Sequence, residues 1–454
     1  MRRTHVSCGV DLGSTNIKVV AVRADGTVVT RHSRPTPRLS NHLSVDAEEM
    51  LTLVEEMLLE ATGRDWAIAS VCVAGVGEDG VLIDASGYAV VESLPWFDPR
   101  RAEIFAELPE GVRASAAKSI TGIELDAART VVGWRWATTS KPVTTHSQLT
   151  AWIALTDYPA VRWTGRPFMS DTVASRTAAW DPTSRSWLDQ VIQATLGDPR
   201  LLGRVLSAGE VVGPLTSTVL EDASVLAPGA VVVAGGHDHP IGGSLVERIR
   251  SGAVLDSMGT AEVVVRAADR LDAALAEADE AVSVSAGLLG RGATVLAVAE
   301  LARNMSWASQ SDQAVQDTMS KLLMGDIELP EKPGLTDLFI LGEQGGQLPA
   351  WSPDASHASP LERAAAALTV CASNGWRIVE LLGSTADAPV FAAGGWTRSP
   401  GWMAAKRKLS RRPLAVIPEP EVTAVGAALI AGDALGWFPD PARALGYPAN
   451  EQVS

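Results

Sequence analysis

The chain opens on an alternation. In HVSCGVDL, Val6, Cys8, Val10 and Leu12 share one face, and in IKVVAV Ile17, Val19 and Ala21 do the same. A two-residue period over short runs marks strands with one buried face. Gly13-Ser14-Thr15-Asn16 and Ala24-Asp25-Gly26 separate the runs with turn formers, so residues 5–33 predict three short antiparallel strands. The period then changes. Asp46 with Glu49 marks a helix start, and Met50, Val54, Met57, Leu58 and Ala61 recur at helical spacing. AIASVCVAG follows as a buried strand, and VLIDASGYAV reads as a hairpin turned at Asp84-Ala85-Ser86-Gly87. Residues 100–230, rich in Trp and Ala, read mostly as helices.

Near residue 250 the plan begins again. SGAVLDSMGTAEVVVRA is strand, Gly-Thr turn, strand, and it echoes CGVDLGSTNIKVVAV. The helix PLERAAAALTVCASNGWRIVELLG, the strand APVFAAGG, the segment SPGWMAAKRKLSRRPLAVI and the apolar EVTAVGAALIAGDAL complete the second half, with a Pro-bearing loop at 329–337. Two halves on one plan are expected, residues 1–247 and 248–454.

Composition narrows the partners. The 454 residues are 46% apolar and 20% charged, an ordinary globular balance with room for two or three domains. A net charge of −15, with no dense basic run, argues against nucleic acid. Cys8, Cys72 and Cys371 are odd in number and widely spaced, which argues against a disulfide scaffold and for a reducing compartment. No leader-like apolar segment follows Met1-Arg2-Arg3, and no run approaches the ~20 apolar residues of a membrane span. A soluble, cytoplasmic protein is expected.

Five glycine-bearing stretches carry candidate chemistry. GVGEDG at 75–80 fits a dinucleotide fingerprint, but strand follows where a helix is required, and Glu78 and Asp79 would repel phosphate. DLGST at 11–15 ends a strand in a turn whose N–H groups suit an anion, with Asp11 placed to hold Mg²⁺ through water; a plain hairpin turn is the alternative. DSMGT at 256–260 offers a second such turn, and the two together suggest a nucleoside triphosphate. In AAGGWTRSP, Gly394 and Gly395 leave space for a flat base against the backbone, or simply turn strand into helix.

The fifth stretch, VVVAGGHDHP at 231–240, sets Asp238 between two histidines. Pro240 suits the first residue of a helix, which puts Asp238 just before a helix N-terminus whose dipole favours its ionised form. Three readings stand: a helix cap, a base that takes a proton from a hydroxyl, or a metal site, the last without the partner pattern zinc requires.

Taken in order, GVDLGSTNIKVVAV, PWFDPRR, DYPAVRWTGRPFMSDTVASRTAAWD, AGGHDHPIGG, SMGTAEVV, AAGGWTRSPGWMAAK and EVTAVGAALIAG resemble the FGGY carbohydrate kinases, xylulokinase-like members included, over nearly the whole chain. The resemblance implies an α/β fold of two actin-like ATPase (ribonuclease H-like) domains around a central cleft. It implies transfer of the ATP γ-phosphoryl group to a sugar or polyol hydroxyl with Mg²⁺, with domain closure to exclude water. Asp238 matches the catalytic base and Asp11 the metal position. Gly13, Ser14 and Thr15 match the first phosphate turn, Gly259 and Thr260 the second. Gly394 and Gly395 match the adenosine turn, with Ser399 at a position where some members use a polar side chain on the base or ribose. Glu78, Asp79, Trp96, Asp98 and His239 fall at substrate positions, Trp96 to stack on a sugar face, while His237 is assigned a structural role. Gly235 and Gly236 are expected to let substrate come close. The resemblance also suggests a homodimer.

The chain departs from its relatives in two places. It has neither the Arg-Glu pair of glycerol kinases nor the Met-His pair of xylulokinases at 78–79, and GEQGGQLP at 342–349 replaces the common GER.P around Glu343. Two rivals share the fold, an actin- or chaperone-like ATPase without a small acceptor and a non-catalytic sugar sensor. The acid cluster Glu78, Asp79 and Asp98 argues against the first, the intact Asp238 against the second.

Overall fold

The computed structural model describes residues 3–41, 43–139, 149–271, 276–277, 279–310, 312–343, 347–383, 385 and 387–448. Two compact units emerge. Unit 1 comprises Met1–Leu245, Ala268–Thr294 and Glu421–Glu451; unit 2 comprises Val246–Ala267 and Val295–Pro420. The first crossing lies two residues from the expected 247/248 boundary, but the chain then returns to unit 1 twice.

The alternating N-terminal runs form the predicted meander: β1 (Thr4–Leu12), β2 (Asn16–Val22) and β3 (Val28–Pro35), each antiparallel to the next. Helix α1 (Ala47–Thr62) is capped by Asp46, which accepts from the N–H groups of Glu48 and Glu49, and it buries Met50, Val54, Met57, Leu58 and Ala61. The apolar run becomes β4 (Trp66–Gly75), parallel to β1, and the hairpin strand β5 (Gly80–Asp84) pairs with β6 (Leu149–Ala154). Strands β7 (Val211–Pro214) and β8 (Leu226–His237) complete a sheet of order β7-β8-β4-β1-β2-β3, with β8 parallel to β4.

Residues 100–230 are not mostly helical. The described helices of this segment are ten residues or shorter, and between them run β6, β7 and the short strands Phe168–Ser170 and Arg204–Leu206. Alanine and tryptophan content raised the helical expectation, but β6 is drawn into a strand by pairing with β5 and burying Trp152 and Ile153, a tertiary effect that propensity does not see.

Unit 2 repeats the plan. β9 (Val254–Met258) and β10 (Ala261–Ala268) are antiparallel, β12 (Val390–Ala393) is parallel to β9, and β13 (Leu414–Val416) is parallel to β12. With β11 (Ala293–Glu300), five strands of this six-stranded sheet run in the order β11-β10-β9-β12-β13, the same as β3-β2-β1-β4-β8. Helix α3 (Pro360–Leu382) starts at a full capping box of Ser359 and Glu362, and helix α4 (Pro400–Leu409) is capped by Ser399. Helix α5 (Val422–Asp433) is apolar on every side and buried on every side, as such a helix must be. It packs on β1 so closely that a Cβ on Gly9 would stand 1.9 Å from the Ala424 carbonyl oxygen. Its burial against β1 is why the chain end belongs to unit 1. Among the described residues, no helix is long and apolar enough to cross a membrane.

Candidate active site

Asp11, one residue before the end of β1, faces Lys18 of β2 in the antiparallel register. The pairing brings Lys18 Nζ to 2.8 Å from Asp11 Oδ2 and raises the lysine pKa, mainly through the Asp11 charge. The 13–15 turn is held from behind. Thr36 donates to the carbonyls of Gly13 (2.7 Å) and Thr15 (2.9 Å), and Arg38 donates to that of Ser14. Across a planar trans peptide the following N–H points the opposite way, so the amides of Ser14 and Thr15 face away from those donors, as an anion nest requires.

Glu78 and Asp79 follow β4 and are buried. Three arginines that the sequence reading passed over surround them. Glu78 Oε1 accepts from Arg176 Nε (2.7 Å) and Arg129 Nη1 (3.4 Å); burial opposes its ionisation, but Arg176 and Arg129 hold it below the usual carboxylate range. Asp79 lies 3.6 Å from Arg101 Nη2, and burial pushes its pKa up to about 7 against the pull of Arg101, the Trp96 N–H and Arg38. Arg101, 1% exposed, donates to the carbonyls of Leu94, Pro95, Ala127, Ala128 and Arg129, so it ties the Trp96 loop to the Arg129 segment. Asp79 lines one small hollow with Gly13, Ser14, Arg38 and Thr156. Trp96 is half-buried, edge-on to Phe97. Asp98 is buried and engaged: its carboxylate accepts from the backbone N–H, Nε and Nη2 of Arg100.

Asp238 is the first residue of helix α2 (Asp238–Ile249), which begins two residues before the expected Pro240. Proline is tolerated there because the first-turn N–H groups have no partner in the helix. Asp238 Oδ1 accepts from the His239 N–H at 2.7 Å and lies 3.3 Å from His237 Nε2 and 3.6 Å from His239 Nε2. Burial raises its pKa, Asp11 and Glu78 add to the rise, and His239 opposes it. His237 is buried, and burial, with Arg176 beside it, keeps the ring neutral. The two histidines and Asp238 place one donor atom each within 4.8 Å of one another, and among the described residues no fourth His, Cys, Asp or Glu joins them. That geometry serves a carboxylate steered by two imidazoles.

The glycines before Asp238 do not open space for substrate. A Cβ on Gly235 would stand 1.8 Å from the Val73 carbonyl oxygen, and one on Gly236 2.0 Å from Thr172 Oγ1. They let β8 approach β4 and the 170–172 segment, and so place His237 and Asp238 at the strand end.

In unit 2, Gly259 and Thr260 form an exposed turn between β9 and β10. The 394–399 turn lies against it. Trp396 Nε1 donates to the Gly259 carbonyl at 3.0 Å, and Gly394, at φ +92°, has Met258 backbone where a Cβ would sit, at 2.3 Å. Gly394 is therefore required by the backbone, while beside Gly395 the nearest atom is Arg398 Nη2 at 3.6 Å. The Ser399 hydroxyl donates to the Leu323 carbonyl and accepts from the Trp402 N–H, so it is committed as a cap. Glu343 accepts from Arg303 through its carbonyl, and residues 344–346 of the divergent loop lie outside the described residues.

Comparison with solved structures shows the fold. The chain aligns with a xylulose kinase from Lactobacillus acidophilus at a TM-score of 0.79 and 17% identity, covering 98% of this chain and 95% of that one. With a xylulose kinase from Rhodospirillum rubrum the TM-score is 0.78 at 23% identity, covering 97% and 96%. The protein is thus built of two actin-like ATPase-fold domains. Among characterised proteins it is 25% identical to the L-fuculokinase of Escherichia coli, over 96% of this chain and 93% of that protein. It is 27% identical to the xylulose kinase of Streptomyces coelicolor, over 92% and 86%. The N-terminal domain profile of the FGGY family of carbohydrate kinases matches residues 6–243, and the chain belongs to that family, whose sugar kinases move a phosphoryl group from ATP to a hydroxyl.

Proposed function

We propose that this kinase phosphorylates a hydroxyl of a ketose or polyol, with Asp238 as the general base. The observation that carries the reading is the Asp238 carboxylate itself. It stands at a helix start, steered by two histidines, with its pKa raised by burial and by Asp11. A carboxylate whose pKa is raised is a stronger proton acceptor in its ionised form. The acceptor hydroxyl gives its proton to Asp238 as its oxygen bonds to the γ-phosphorus; the bond from that phosphorus to the β-phosphate oxygen breaks and ADP leaves.

The remaining roles rest on the family resemblance. The amides of Ser14 and Thr15 and the Gly259–Thr260 turn face phosphate oxygens, and the open side of Gly395 receives the base. Asp79, with its buried Oδ1 lacking a hydrogen-bond partner, accepts from a substrate hydroxyl, Glu78 is held for the same work by its arginines, and Trp96 stacks on the sugar. His239 touches the acceptor beside the base. Asp98 supports the Trp96 loop through Arg100. Asp11 fits a hydrated Mg²⁺: Lys18 takes one carboxylate oxygen, and the other is the hard donor that magnesium prefers through water. Bound there, the ion would neutralise charge on the phosphates.

Relatives named for fuculose and xylulose favour a ketose acceptor. Three buried free cysteines suit a cytoplasmic setting. ATP consumption screened over ketoses, aldoses, polyols and aldonates, with Asp238→Asn as the blank, tests the reading. ATP turnover indifferent to every acceptor would instead favour an ATPase, and sugar binding without transfer would favour a sensor.

A further inference from the structure

Helix α4 buries a lysine in the core of unit 2. Lys406 is 0% exposed, with its Nζ 3.0 Å from Asp256 Oδ2 and hydrogen-bonded to Glu262 Oε1. Asp256 lies on β9, two residues before Met258; Glu262 lies on β10, two residues after Thr260, and pairs with Met258 in the ladder. The two carboxylates therefore stand on the two strands that flank the Gly259–Thr260 turn. The surroundings are shaped to hold the ions. The Trp376 ring lies 5.1 Å from the ammonium, and its indole N–H donates to the Lys406 carbonyl at 2.7 Å. A Cβ on Gly375 would stand 2.0 Å from Glu262 Oε1, so helix α3 gives up a side chain where the carboxylate needs room. An ion cluster in a core is seldom the most stable filling, because desolvation offsets much of the attraction. Its location next to one turn is therefore informative.

We infer that Lys406 is a positioning residue for the nucleotide: by bridging Asp256 and Glu262 it fixes both strands of the Gly259–Thr260 turn and sets that turn against the 394–399 turn at the head of its own helix. The inference rests on reading Gly259 and Thr260 as a phosphate turn. Charge adds a consequence. Burial, with the Asp256 charge, pushes Glu262 up to about 8, against the pull of Lys406. Cys371 of α3 is the other titratable group that interacts with Glu262. Above that pH Glu262 adds a negative charge two residues from Thr260. Nucleotide binding then weakens as pH rises through 8.

The test is ADP binding by calorimetry at pH 7.5 and 9, with separate KM values for ATP and acceptor, on the full chain. Wild type should lose about fivefold in ADP affinity between the two pH values, the effect of one charge several ångströms from a phosphate at intermediate dielectric. Glu262→Gln should abolish that loss and leave the acceptor KM unchanged. Lys406→Met, if it folds, should raise the KM for ATP about tenfold and leave the acceptor KM within about twofold; Glu262→Gln decides the matter if it does not. A wild-type pH profile in Glu262→Gln, or equal rises in both KM values, would overturn the inference. Thr260→Val separates the two readings. If it binds ADP as wild type does, the phosphate-turn reading fails and takes the inference with it. If it binds weakly while Glu262→Gln keeps the wild-type profile, only the inference fails.

Discussion

Replacing Asp79 by asparagine should change how stability depends on pH. The Asp79 carboxyl is 5% exposed, its Oδ1 has no hydrogen-bond partner, and the nearest cationic atom is 3.6 Å away on Arg101. Burial raises its pKa from 3.8 to about 7, with Glu78 adding to the rise and Arg101 opposing it. The folded chain thus keeps a proton that the unfolded chain releases, and stability falls as pH rises from about 4 to about 7. Two pH units of that window lie between pH 5 and pH 8, so at 1.4 kcal/mol each the wild type loses about 3 kcal/mol through this group. Asparagine does not titrate. The stability of Asp79→Asn relative to wild type should therefore improve by about 3 kcal/mol from pH 5 to pH 8, whatever fixed cost the amide carries beside Arg101. Urea unfolding followed by tryptophan fluorescence at several pH values measures this directly. A relative stability constant to within about 0.5 kcal/mol over that range would refute the argument that burial governs this carboxyl.

Three further outcomes follow from named contacts. Gly235→Ala forces β8 away from β4, because its Cβ would lie 1.8 Å from the Val73 carbonyl oxygen; a loss of about 3 kcal/mol or more, or of soluble protein, is expected in thermal unfolding. Gly395→Val meets no such obstacle, so it should leave the thermal midpoint unchanged while raising the KM for ATP, and an unchanged KM would remove the base from that turn. Asp11→Asn should raise the Mg²⁺ concentration needed for half-maximal activity by about 10- to 100-fold, and an unshifted requirement would place the ion elsewhere.

The meander, α1, β4, β9, β10 and α3 were legible because each pattern is local: alternation for strands, a 3.6-residue stripe and a cap for helices. The Asp11–Lys18 pair was within reach too, since a tight turn fixes the register that opposes them. Arg101, Arg129 and Arg176 were not found, because each reaches Glu78 or Asp79 from tens of residues away in sequence. The available signal was an arginine in an otherwise small and apolar run, as in VASRTAAW around Arg176. The roles of Gly235 and Gly236 were misread because a missing side chain does not say what fills its place; here strand and loop atoms do. The return of α5 to unit 1 had a sequence sign, an all-apolar helix, but its partner strand lies at the other end of the chain.

The central claim is that Asp238 takes the proton of the acceptor hydroxyl. It is tested most directly by the turnover of Asp238→Asn with ATP and the best acceptor, alongside nucleotide binding by the same variant. The account predicts a loss of kcat of about 100-fold or more with ADP affinity unchanged. Retention of more than about a tenth of wild-type turnover would contradict it.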